Sequence, residues 1–200
     1  MKKLFIVGIL TVLTVSTALG KNEIPKLPID SQTNKISYSK VVYVDSLTKK
    51  QELFSRAREW FAKTYNSSTN VIQMEDKESG KIVGKALLQV YRKSPLGNME
   101  HGYINYTISI YIKDGRYKYI ISDFYHTGQN SVYLGSVNKV PDYGVCEGMI
   151  NYKPTFWDPI NIKKTINSIL SQIDSNIVDL VKNLKFVMDT NTTNTKTEEW

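Results

Sequence analysis

Apolar and polar positions alternate most strictly between Tyr103 and Lys113. Ile104, Tyr106, Ile108, Ile110 and Ile112 point one way; Tyr103, Asn105, Thr107, Ser109, Tyr111 and Lys113 point the other. A period of two predicts a strand with one buried and one wetter face. Asp114-Gly115 follows, the residue pair favoured in a two-residue type I′ hairpin. Such a turn sets the register of the returning strand. It places Ile112 opposite Tyr117, Ile110 opposite Tyr119 and Ile108 opposite Ile121 on the apolar face. On the other face it places Tyr111 opposite Lys118, Ser109 opposite Ile120, Thr107 opposite Ser122 and Asn105 opposite Phe124. β-branched and aromatic residues predict further strands over Ile36–Val44, Val71–Glu75 and Lys81–Tyr91. Asp76–Gly80 and Ser94–Asn98 carry turn chemistry between them.

Two segments repeat every three to four residues instead. Leu53, Ala57, Trp60, Phe61 and Thr64, widened by Phe54 and Tyr65, predict an amphipathic helix over Lys49–Tyr65. Glu52, Arg56, Arg58, Glu59 and Lys63 fall mostly outside that stripe. Thr48 and Gln51 have capping-box spacing at its start, and Asn66-Ser67-Ser68 ends it. The second helix begins at Asp158-Pro159, with Pro at the first helical position. Ile162, Ile166, Ile169, Ile173, Ile177, Leu180 and Leu184 form its apolar face. Between sheet and helix, Gln129–Trp157 is irregular, broken by Gly and Pro yet rich in Tyr, Phe and Trp. A loop of that length and aromaticity is expected to wrap the domain or fold as a small extension. Residues 189–200 read as a disordered tail.

The N-terminus has a third pattern. Lys2 and Lys3 precede an apolar run from Leu4 to Leu13, and Ala18-Leu19-Gly20 puts small residues before a polar stretch. This is the layout of a secretory signal peptide over residues 1–20, too short for a membrane span. The chain is therefore expected to be exported: periplasmic, at the cell surface or secreted, with no transmembrane segment after cleavage. Residues 21–35, with Pro25 and Pro28, read as an extended leader ahead of a domain spanning 36–188.

The element order is thus β-α-β4-α, an α+β class with a single antiparallel sheet and two helices on one face. Particular runs carry a resemblance. Val41-Val42-Tyr43-Val44-Asp45 leads into the helix Lys49 to Ala62, which closes on Arg58-Glu59-Trp60-Phe61. Val71 to Glu75 then turns through Asp76-Lys77-Glu78-Ser79-Gly80 into Lys81-Ile82-Val83-Gly84-Lys85. Over Ile36 to Tyr125 the chain resembles an exported bacterial family, a domain of unknown function with a TBP-like fold. The resemblance implies the fold and an exported setting. It implies no activity and supplies no catalytic residues. The fold's name suggests DNA, but DNA binding by that fold uses a duplicated saddle and apolar wedges, whereas here there is one copy behind an export signal. No nucleic-acid partner is expected.

Charge and cysteine content narrow the picture. The chain has 26 basic and 19 acidic residues; removing Lys2 and Lys3 leaves 24 − 19 = +5. So mild a positive charge suits acidic glycans, lipid head groups or an envelope protein as partners. Cys146 is the only cysteine, which excludes an intramolecular disulfide, and none follows the cleavage site to carry a lipid.

Candidate chemistry is sparse. His101 and His126 are the only histidines, and no spacing matches a metal site or a cofactor motif. Gly80 to Lys85 lacks the Walker spacing. A Cys146-His126-Asp123 constellation would make an envelope hydrolase, although nothing near Cys146 marks a nucleophile. The better-supported expectation is a non-enzymatic binding or assembly module. Its candidate ligand residues share the wetter sheet face: Tyr103, Asn105, Thr107, Tyr111, Lys118 and His126. Two outcomes stay open at this point: the face binds a ligand, or the Gln129–Trp157 segment covers it.

Overall fold

The structure is a computed structural model that describes residues 25–65, 68–94, 97–133 and 135–189. The predicted signal segment and nearly all of the predicted tail lie outside these residues. Strand β1 (Tyr38–Tyr43) leads into helix α1 (Lys50–Thr64) and a single turn, α2 (Ser68–Val71). Strands β2 (Ile72–Asp76), β3 (Lys81–Ser94), β4 (Gly97–Lys113) and β5 (Arg116–Thr127) follow. A small hairpin β6–β7 (Ser131–Tyr133, Ser136–Asn138), a short β8 (Gly144–Val145) and α3 (Cys146–Ile150) precede the long helix α4 (Ile162–Asp189). The main sheet is antiparallel in the order β1-β5-β4-β3-β2. Helix α1 carries the chain from β1 at one edge to β2 at the other. On the free side of β5, β1 and β8 follow one another along its length.

The core lies between the sheet and the helices. Ile104, Ile108, Ile110, Ile112, Tyr117 and Ile121 line it from the sheet; Leu53, Ala57, Trp60, Phe61, Ile169, Ile173 and Leu184 line it from α1 and α4. Trp60 meets Phe61 edge-on at 4.9 Å and donates its indole N–H to Asn183 Oδ1 at 2.9 Å, joining the two helices. Gly84 allows α1 to sit this close, since a Cβ there would stand 2.8 Å from the Phe61 ring. That glycine serves packing.

Four local expectations are corrected. Thr48 and Gln51 form no capping box: the N-cap residue is Lys49, and no side chain of its own segment caps the helix. Instead Asp114, in the β4–β5 turn, accepts the Lys50 N–H at 2.6 Å. Gly115 N–H donates to Thr48 O at 2.9 Å, and Gly115 O accepts from Val44 N–H at 3.0 Å. The hairpin tip is thus the helix cap, where a carboxylate complements the free N–H groups and the positive helix end. Asp114→Ala should cost about 0.5–2 kcal/mol in urea unfolding. Asp114→Asn keeps an acceptor oxygen and should lose less; equal stability of all three proteins would show the cap to contribute nothing.

Arg56 was expected outside the apolar stripe, yet it is buried. Its guanidinium pairs with Glu52 one turn away and donates to Met188 O at 2.7 Å, satisfying a carbonyl at the C-terminal end of α4. Helix α4 starts at Ile162 rather than Pro159, because Asp158 turns back to accept the Thr155 N–H and hydroxyl. From residue 25 on, the predicted leader is built into the domain. Leu27 is buried, Ile29 bridges to Ile36, and Ile36 N–H donates to Glu147 Oε1 at 2.7 Å.

Candidate functional site

The face of the sheet turned away from the helices is open at its centre. Tyr111 lies opposite Lys118 on the neighbouring strand, as the Asp114-Gly115 turn requires, and both side chains are exposed. The register brings further residues to this face that sequence reading missed. Lys81 of β3 stands opposite Tyr111, its ammonium 5.5 Å from the ring centroid. Tyr43 of β1 stands opposite Arg116, whose guanidinium is 5.9 Å from that ring. Val41 lies beside Lys118, and Lys113 beside Arg116. A shallow concavity of about 290 Å³ runs between Val41, Tyr43, Tyr111 and Lys118. The alternation Val41, Tyr43 in β1 was legible; what hid them was that the pairing of β1 with β5 spans most of the domain.

Farther along the same face a wider concavity of about 540 Å³ is lined by Lys85, Leu87, Asn105, Thr107 and Asp123. Here the polar groups are mostly engaged with one another. Asn105 Nδ2 donates to Thr127 Oγ1 at 3.0 Å, and Asp123 pairs with Lys35 at 2.8 Å. The Lys35 hydrogen bond holds the Asp123 carboxyl below its ordinary range. Tyr103 lies on the same face, opposite Gln89 and Thr127. Five of the six predicted ligand residues therefore share one surface, with Tyr111 and Lys118 its most exposed and cationic part.

His126 does not belong to it. A β-bulge sets Asp123 and Phe124 together opposite Tyr106, with Asp123 in the left-handed region at φ 59°. The extra residue reverses the alternation of β5. Asn105 thus faces Tyr125 rather than Phe124, Phe124 stacks on Tyr106 in the core, and His126 is fully buried. His126 Nε2–H donates to His101 O at 2.8 Å, while Nδ1 accepts the Tyr143 N–H at 3.3 Å. Both ring nitrogens are occupied, and the tautomer follows from their partners. The Tyr143 hydroxyl meets His101 Nε2 at 3.1 Å, so the two buried histidines and the half-buried Tyr143 form one cluster. Burial pulls the His101 pKa down to about 4 and lowers that of His126.

The thiol beside this cluster is unsuited to attack. Cys146 is buried, and burial pushes it up to about 12, so it stays protonated. The His126 ring has no free nitrogen to take its proton. Asp123 projects from the bulge toward Lys35, away from both. Among the described residues, no three His, Cys, Asp or Glu side chains converge on a metal position.

Among the described side chains of the Gln129–Trp157 segment, the rings of Tyr143, Phe156 and Trp157 do not close the open face. Tyr143 packs on the histidines, and Phe156 and Trp157 are 92% and 89% exposed; the Tyr133 side chain lies outside the described residues.

No curated protein matches the chain. Two solved structures share its architecture. One is a family protein from Bacteroides ovatus, with a TM-score of 0.59 at 14% identity over 84% of this chain and 93% of that one. The other is a TBP-like protein from Parabacteroides distasonis, with a TM-score of 0.53 at 18% identity over 80% of this chain and 97% of that one. Residues 38–127, from β1 through β5, match the domain of unknown function with TBP-like fold (DUF4468).

Proposed function

We propose that the protein is a non-enzymatic binding module of the bacterial cell envelope whose open sheet face takes an acidic, sugar-bearing ligand. One observation carries the reading: Tyr111 and Lys118 are exposed cross-strand neighbours among Lys81, Lys113 and Arg116. Tyrosine rings offer a flat apolar surface for a sugar ring, and the surrounding cations complement carboxylate or sulfate groups. A shallow face of this kind binds by stacking and charge together.

Binding to an acidic polysaccharide such as polygalacturonate, with neutral dextran as control, tests it. Tyr111→Ala combined with Lys118→Ala should weaken capture about tenfold while leaving the fold intact. Rising salt should weaken it as well. Unchanged capture by the double variant would move the site off this face, and equal affinity for dextran would remove the role of charge.

A further inference from the structure

The loop that joins α3 to α4 carries a second surface, separate from the open sheet face because both helices pack on the opposite side of the sheet. Phe156, Trp157 and Ile160 are 92%, 89% and 101% exposed. Three large apolar side chains in one short loop gain nothing in water, and such patches mark contact surfaces. The loop is held in shape: Asp158 accepts the Thr155 N–H and hydroxyl at 2.6 and 2.8 Å and a hydrogen bond from Tyr152, and Phe156 meets Trp157 edge-on at 5.4 Å.

We propose that this loop docks the protein on an anionic lipid bilayer, with Phe156, Trp157 and Ile160 entering the interfacial layer. Charge selects that occupant. Lys153, Lys163 and Lys164 flank the apolar tip and are exposed, and the only acid between residues 151 and 164 is Asp158, so the segment carries 3 − 1 = +2. That one carboxylate faces back into its own turn, leaving the lysines to meet lipid phosphates. Trp is enriched at the interface between head groups and acyl chains, and each lysine near an anionic surface adds to the attraction. No helix of the described residues is long and apolar enough to cross a membrane, so association through this loop would be peripheral.

The test reads the loop itself rather than total binding, because other parts of the chain can also hold lipid. Trp200→Phe leaves two reporters in the full chain, Trp157 and Trp60, the latter buried between the helices. With equimolar phosphatidylcholine and phosphatidylglycerol vesicles, emission should shift to shorter wavelength and be quenched when the acyl chains are brominated. Adding Trp157→Phe should abolish both changes. Replacing each lysine by Gln should weaken the partition about fivefold at low salt. Phe156→Ser with Ile160→Ser should weaken it at least about tenfold. Trp157 emission that ignores the vesicles would overturn the proposal, as would brominated lipid that leaves Trp157 unquenched. A shift that follows protein concentration without lipid, with a dimer in sedimentation, would overturn it in favour of a second copy as the occupant.

Discussion

Ile110→Ala and Tyr111→Ala, neighbours on β4, should differ sharply in stability. Ile110 is fully buried between the sheet and the helices, with Ile82 and Tyr119 on the flanking strands. Removing its side chain forfeits burial and leaves a cavity that the packed surroundings can only partly fill. The cost should be about 2–5 kcal/mol, or on the order of 5–15 °C in Tm for a domain of this size. Tyr111 is 39% exposed on the opposite face and loses mainly its contact with Lys81, so its truncation should cost no more than about 1 kcal/mol. Thermal unfolding of the two variants measures the difference. Equal losses would mean that the outer face is covered in solution, which would also remove the proposed binding site.

Acid should destabilise the protein well before its carboxylates protonate. The neutral form of His126 fits its site: Nε2–H donates to a carbonyl while Nδ1 accepts a backbone N–H. A second proton at Nδ1 would face the Tyr143 N–H as donor against donor. His101 lies 6.0 Å away, ring to ring, so charging one opposes charging the other. Arg92 also disfavours the His101 cation, whereas Asp142 favours that of His126 without offsetting burial. Both histidines therefore bind protons less readily folded than unfolded. Below an unfolded value of 6.5 the unfolded chain takes up protons that the native state refuses, so stability falls with pH until His101 protonates in place near 4. The slope approaches about 1.4 kcal/mol per pH unit for His101, and His126 adds to it with the same sign. The lowered carboxylates, Asp30, Asp76, Asp123 and Asp158, begin to contribute only around their ordinary value of 3.8 and below. Urea unfolding between pH 7 and pH 5 separates the two effects. A flat profile there would mean that the histidine cluster opens to solvent in the native state.

The same bulge that buries His126 shows how far the sequence could be read. Apolar residues of β5 occupy Tyr117, Tyr119 and Ile121, then resume at Phe124. That change from odd to even positions was the available sign that one residue is extra. Asp123 marks the place, since Asp tolerates positive φ better than most side chains. Reading the strand as regular carried His126 to the wrong face and paired Asn105 with Phe124. The helix starts failed for a related reason. Thr48–Gln51 and Asp158-Pro159 have good local capping chemistry, but Asp114 reached the first helix end from a distant turn and Asp158 was drawn back to Thr155.

The sequence by itself determined the five strands β1 to β5, the hairpin turn, its register as far as Thr107 and Ser122, and the two apolar helix stripes, but not the short β6, β7 and β8 inside the segment read as irregular. These depend on spacings of two, three and four residues, where backbone geometry alone decides which side chains share a face. The family resemblance added the arrangement of those elements. Only the tertiary structure placed β1 beside β5, which brought Tyr43 and Val41 to Tyr111 and Lys118. It alone buried Arg56 against the end of α4 and left Phe156 and Trp157 in water. Those outcomes depend on contacts between residues far apart in the chain, where the energy of a pair is set by what else packs around it, and no local pattern records that.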